Sequence, residues 1–147
     1  MDDLYKIIEK INVIQYRINL NDRKPRSFGT DQQLHQSEIH FIDAIGIDEE
    51  INASGLSRRL DITNGAVTQV AQKLIQKKLV EKYKKETNKK EVYFKLTEMG
   101  QIAYENHKAF HKELNEKIIG YLKGLSQEQI QGLLGFVTIA EEHLPRV

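Results

Sequence analysis

The chain has 147 residues, 39% of them apolar and 29% charged, and a formal net charge of +1; this length and composition suit one folded domain rather than a disordered chain. It contains no cysteine, which excludes disulfides, thiolate metal sites and cysteine-based redox sensing. No apolar run approaches the ~18 residues of a membrane span, and the Met-Asp-Asp-Leu start lacks the basic region of a secretory signal, so a cytoplasmic location without a membrane partner is expected.

Leu4, Ile7, Ile8, Ile11, Ile14 and Ile18 recur every three or four positions and predict an amphipathic helix to about Asn19. The stretch "NDRKPRSFGTDQQ", with Pro25 and Gly29, reads as a loop or a short broken helix. "SEIHFIDAIG" carries Ile39, Ile42, Ala44 and Ile45 on one side and predicts a second helix that stops at Gly46. Asn52 is a good N-cap for a short helix with Leu56 and Leu60 inward, and Thr63 can cap another in which Val67, Val70, Ala71, Leu74 and Ile75 make one buried stripe. Two short helices joined by a tight turn form a helix-turn-helix, a motif whose second helix enters the DNA major groove with its N-terminal residues leading.

Val80, Lys82 and Lys84 then alternate with Glu81 and Tyr83, and Val92, Phe94 and Leu96 with Tyr93 and Lys95, which predicts two antiparallel strands around an "ETNKK" tip. A basic hairpin in this place is a wing able to meet phosphate or the minor groove. Thr97 caps a long helix in which Ile102, Phe110, Leu114, Ile118, Tyr121 and Leu122 recur at near-helical spacing. Ser126 and Gln129 make a capping box that opens a last helix striped by Ile130, Leu133, Leu134, Val137 and Ala140.

The near-neutral total hides a charge asymmetry. From Arg58 to Lys95 there are eleven Lys/Arg against four acidic residues, a net of +7, while the remainder nets −6. The middle of the chain is therefore the face offered to a polyanion. The apolar stripes at both ends exceed what a winged helix alone requires and suggest a shared dimer interface. The expected architecture is mainly α with a small β-hairpin wing (α+β). In it a winged helix-turn-helix over 34–97 is flanked by dimerisation helices over 1–33 and 98–147, all within a single domain spanning 1–147.

"LHQSEIHFIDAI", "NASGLSRRLDITNGAVTQVAQKLIQKKLVEK", the hairpin and "LTEMG" together resemble the MarR family of dimeric winged-helix transcription regulators over essentially the whole chain, most specifically from Leu56 to Gly100. The resemblance implies a homodimer that binds a pseudo-palindromic operator in double-stranded DNA, most simply as a repressor. Two departures stand out. Asn88, Lys89 and Lys90 replace the usual Asp-Arg-Arg of the wing, which keeps charge but loses the bidentate arginine fork and predicts a more mobile tip. His35 stands where family members often begin the second helix with Thr or Ser, although Glu38 remains in the capping-box position.

Asn64, Gly65, Thr68, Gln69 and Gln72 fall off the buried stripe of the recognition helix. Asn and Gln can pair with adenine, Thr can contact a thymine methyl or a phosphate, and Gly65 allows close backbone approach. Arg58, Arg59, Lys73, Lys77, Lys89 and Lys90 are the phosphate candidates, with Asn88 beside them at the wing. Any one of these could equally be an ordinary solvated position; their placement around one motif is what gives the set meaning.

For regulation, "EIHFIDAIG" and "HKAFHKELNEKII" look like the corresponding helices of FabT-type regulators, MarR-family repressors of fatty-acid synthesis that respond to acyl chains on acyl carrier protein. The resemblance implies an effector cleft bordered by His40, His107 and His111, with Phe41, Ile42, Phe110 and Leu114 as apolar wall, that takes a small apolar ligand or an acyl carrier protein. His107 and His111, four apart on a helix, could share a metal, and zinc-sensing members of the family use histidines from these two helices. No third and fourth ligand is evident beyond the acids Glu38, Asp43 and Glu105, so no metal or cofactor is assigned, and a metal-responsive regulator stays an alternative. A winged-helix module that binds protein instead of DNA is another. An enzyme is disfavoured by the lack of a cysteine nucleophile, a glycine-rich phosphate loop, HExxH or a recognisable Ser-His-Asp context.

Overall fold

A computed structural model describes residues 2–143. In chain order it contains α1 (Asp2–Asp22), α2 (Gln36–Ile47), α3 (Ala53–Leu60), α4 (Asn64–Gln76), β1 (Val80–Lys85), β2 (Asn88–Leu96), α5 (Glu98–Leu122) and α6 (Gln127–His143). The chain divides into two compact units, Met1–Lys108 and Ala109–Val147.

The core of the first unit is built from α2, α3, α4 and the hairpin. Phe41, Ile42, Leu56, Leu74, Leu79 and Val80 have at most 1% of their surface exposed. Burial of one such side chain contributes about 1.5–3 kcal/mol, so this cluster is the main source of the unit's stability. Phe41 meets Phe94 edge-on at 5.9 Å between ring centroids, tying α2 to β2.

From α2 onward, each helix starts where the sequence offers a cap. Asn52 Oδ1 accepts from the Gly55 amide at 2.7 Å, Thr63 Oγ1 from Ala66 at 3.1 Å, and Thr97 Oγ1 from Gly100 at 3.1 Å. Ser126 and Gln129 form the reciprocal capping box, at 3.2 and 2.9 Å. Glu38 accepts the His35 amide at 2.9 Å, so α2 is closed by its acid despite the histidine at its start.

The helix ends are less orthodox. Asp61 and Lys78 both adopt left-handed backbone, with φ of 51° and 60°, a conformation that costs a non-glycine residue roughly 1–2 kcal/mol. Closing bonds offset this, from the Ile62 amide to the Ser57 carbonyl at 3.1 Å and from the Leu79 amide to the Leu74 carbonyl at 2.9 Å. Those two turns set the sharp α3–α4 and α4–β1 corners. Gly100 packs its Cα so near the Leu79 carbonyl oxygen that an added Cβ would lie 2.0 Å from it. The start of α5 is thereby pressed onto the corner leading into the wing.

Two expectations need correction. Gly46 lies inside α2, which ends at Ile47, and does not terminate it. A Cβ at Gly46 would meet the Tyr104 ring at 2.5 Å, so the glycine admits an aromatic ring of α5 against α2. The inside–outside alternation of the wing also fails at Tyr93, which is buried together with its neighbour Phe94. The antiparallel register pairs Tyr83 with Tyr93 and Val80 with Leu96, with an irregularity between Tyr83 and Lys85.

In the second unit, α6 buries no residue. Leu134 and Val137 are 55% and 57% exposed, and Leu114 and Ile118 of α5 are about half exposed. In the first unit, the apolar stripe of α1 is exposed as well, from Leu4 to Leu20.

Candidate nucleic-acid interface

The buried stripe of α4, formed by Val67, Ala71 and Leu74, fixes its opposite side outward. Asn64, Gly65, Thr68, Gln69, Gln72 and Lys73 are all exposed there, so the six nominated residues share one solvent-facing surface. Asn64 is the first residue of the helix and Thr68 Oγ1 bonds back to its carbonyl at 3.1 Å. Amide and hydroxyl side chains thus stand over the helix start, where unpaired backbone N–H groups also favour an anion. At Gly65 an added Cβ would meet only Thr63 Oγ1, at 3.9 Å, so packing places no demand for glycine there.

The cations around this surface differ in what they do. Arg58 and Arg59 are exposed in the last turn of α3, with Arg58 donating to Ser54 Oγ at 3.2 Å. Lys77 is turned inward: its ammonium donates to Glu38 Oε1 and to the Gln33 carbonyl, both at 2.7 Å. Glu38 is almost fully buried, with 3% exposure. A buried carboxylate that lost this partner would carry an uncompensated charge, which makes Lys77 a strut between α4 and the start of α2. These two bonds leave its ammonium less available to a phosphate than the exposed Lys73.

At the wing, the turn between the strands is Glu86–Thr87, and Asn88, Lys89 and Lys90 belong to β2. Both lysines are exposed, and Asn88 Oδ1 accepts the Lys90 amide at 3.2 Å. The middle and turn end of the hairpin are held by residues that sequence reasoning did not single out. Lys85 pairs with Glu50 at 3.0 Å and lies 4.5 Å above the Tyr93 ring, and the Glu50 carboxylate raises the lysine pKa above its ordinary value. Tyr93 donates to Glu91 at 3.1 Å, and desolvation first and this bond second raise its pKa, which keeps the phenol protonated as a donor.

The nominated effector residues are spread over both units. His107 is buried, its Nδ1 3.4 Å from Asp43 Oδ1, with the His40 ring at 5.8 Å and Phe28 meeting it edge-on at 5.5 Å. Phe28 was not foreseen, although it is the one large apolar side chain within the polar loop "NDRKPRSFGTDQQ". Phe41 is fully buried in the core, where its ring meets Phe94 of β2 edge-on. In the second unit, Phe110 and His111 pack edge-to-face at 5.6 Å, and Leu114 is exposed. Among the described residues, no group of three His, Asp or Glu side chains is placed to hold a metal ion, and no helix is long and apolar enough to cross a membrane.

Three helices closed by a short strand contact and a basic hairpin, with a polar recognition helix facing outward, define a winged helix-turn-helix protein. Residues 34–92 match the MarR family, and this winged-helix region of the chain belongs to that family. Over 103 residues it is 36% identical to the HTH-type transcriptional regulator PchR of Bacillus subtilis (strain 168), a match covering 70% of this chain but 61% of PchR. The chain thus spans about three fifths of the length of the curated relatives it matches. Streptococcus pneumoniae FabT, crystallised in complex with DNA, is similar in structure with a TM-score of 0.73 at 29% identity, covering 94% of this chain and 98% of FabT. Lactococcus lactis ZitR, a zinc-responsive MarR family member, has the same fold, with a TM-score of 0.73 at 18% identity over 95% of this chain and 97% of ZitR. These relatives are named as regulators, not as enzymes.

Proposed function

We propose that the protein is a cytoplasmic, sequence-specific transcription regulator that acts as a homodimer and represses by occupying a pseudo-palindromic operator in double-stranded DNA. The observation that carries this reading is the outward face of α4, where Asn64, Thr68, Gln69 and Gln72 stand together in solvent, with Thr68 bonded only to the helix's own backbone. Gly65 adds to it, since an unneeded glycine leaves room for a phosphate to approach the backbone. Asn and Gln would read adenine edges, while Arg58, Arg59, Lys73, Lys89 and Lys90 would hold the phosphates. Two recognition helices about one DNA turn apart would then set the half-site spacing. The exposed apolar stripes of α1 and α6 support a second copy as the partner that covers them.

We further propose that DNA affinity responds to a small apolar ligand or to an acyl chain on acyl carrier protein, taken up near His40 and His107. The contact of Phe28 with His107 supports this by adding an aromatic wall to a polar pair. An effector of this kind acts only through unequal affinity for the DNA-competent state and the other state.

The test is fluorescence anisotropy of the purified protein against a labelled fragment of its own upstream promoter and a scrambled control, over a salt series. The expected result is preference for the promoter and an affinity that falls log-linearly with salt. Equal binding to both fragments would remove sequence specificity, and no binding at low salt would favour a protein-interaction module. Adding acyl carrier protein with and without an acyl chain to the bound complex then tests the effector.

A further inference from the structure

We propose that Asn52 is a positioning residue for DNA binding, one that locks the wing to the recognition motif through the two ends of a single amide. The role rests on the DNA-binding reading above.

Asn52 uses its two amide ends on two different elements. Its Oδ1 caps α3 by accepting from the Gly55 amide at 2.7 Å, and its Nδ2 donates to Glu91 Oε2 in β2, also at 2.7 Å. The two partners fix the amide's orientation, because a backbone N–H needs an acceptor and a carboxylate needs a donor. Glu91 Oε2 receives Tyr93 OH as well, at 3.1 Å. The backbone adds to the same seam. Asn52 bridges Tyr93, and the Phe94 amide donates to the Ile51 carbonyl at 3.2 Å. Lys85 closes the other side through Glu50. A hairpin of two strands is marginal alone, so what ties it down decides where its lysines stand.

Residue choice at position 52 is informative. Ser, Thr and Asp cap helices about as well as Asn. An aspartate at 52 would keep the α3 cap but set a second carboxylate against Glu91. Asparagine alone among the good caps offers an oxygen to the helix and an N–H to an acid 39 residues away. This brace holds Lys89 and Lys90 in position before DNA arrives, so less ordering is required on binding.

The discriminating experiment is a double-mutant cycle on the full chain with Asn52→Asp, Glu91→Gln and both together. Each is measured by operator anisotropy, thermal unfolding and hydrogen exchange of the 80–96 hairpin without DNA. In the double variant the carboxylate sits on the cap and the amide on the wing, so the same hydrogen bond forms with reversed polarity. Simple charge effects on DNA cancel across the cycle.

Asn52→Asp is expected to weaken operator binding about tenfold beside Glu91 and no more than about threefold beside the Glu91→Gln change. Hairpin protection should fall in the single Asn52→Asp variant and recover in the double one, with helix content unchanged. Equal loss in both backgrounds, or unchanged hairpin exchange in Asn52→Asp, would overturn the proposal. If the unaltered chain showed no salt-dependent binding, the regulator reading itself would fail, while the exchange data would still report whether the brace exists.

Discussion

The stretch from Leu34 to Ala103 and the helix α6 are both amphipathic by sequence, yet they dispose of their apolar faces in opposite ways. The first folds its stripes onto one another, leaving Phe41, Ile42, Leu56 and Leu74 without measurable exposure. The second buries nothing, and its Leu133, Leu134, Val137 and Ile139 all stay open. A stripe that finds its complement within about seventy residues makes a self-contained core, whereas one that stays open is the face the proposed second copy would cover. The residues proposed to face DNA lie in the first kind of region, on a helix whose opposite face is buried in that core.

The strongest way to break this contrast is to remove equivalent leucines from the two regions. Leu74→Ala should destabilise the protein by about 2–5 kcal/mol, because the surrounding helices collapse only partly onto the cavity. Leu134→Ala should leave the unfolding of the winged-helix region unchanged and instead weaken self-association in sedimentation equilibrium. A comparable loss of winged-helix stability in both would show that the two regions fold as one.

A smaller effect is expected at the strut. Glu38→Ala should cost about 2 kcal/mol in denaturant unfolding, since Lys77 keeps partial solvent access and is not left wholly uncompensated. Operator affinity should drop with it as α4 loses its tie to α2. If Lys77 served as a phosphate contact instead, freeing it would strengthen binding at low salt.

Within the interface, Gln69→Ala should lower discrimination between promoter and scrambled DNA by about 1–3 kcal/mol with the salt slope intact. Replacing Lys89 and Lys90 together by Ala should weaken both DNAs alike and reduce the slope by about 2. Equal loss of sequence preference from both changes would contradict the division into base readers and phosphate holders.

The smallest effect, with the opposite sign, is predicted for Gly132→Ala in α6. Nothing lies within 4 Å of an added Cβ there, and alanine should stabilise the helix by about 0.5–1 kcal/mol as read by thermal unfolding. Loss of dimer on this change would place Gly132 at a subunit contact and extend the interface beyond the stripe.

Local rules made much of this molecule legible from its sequence. Helix starts at Asn52, Thr63, Thr97 and Ser126 follow from side-chain oxygens that satisfy orphan amides, and the stripe of α4 follows from 3.6-residue periodicity. The outward set from Asn64 to Lys73 follows from that stripe by exclusion, and the family follows from the run between Leu56 and Gly100. Only the tertiary structure decided which side chains meet across the chain. It turned Lys77 inward onto Glu38 and placed Phe41 edge-on to Phe94 in the core. It set Gly46 against Tyr104, gathered Phe28 beside His107, and joined Asn52 to Glu91. Periodicity reports which face of an element is covered, but not which distant residue covers it. For that reason the outward face of α4 could be read in one dimension, while the struts that hold it in place could not.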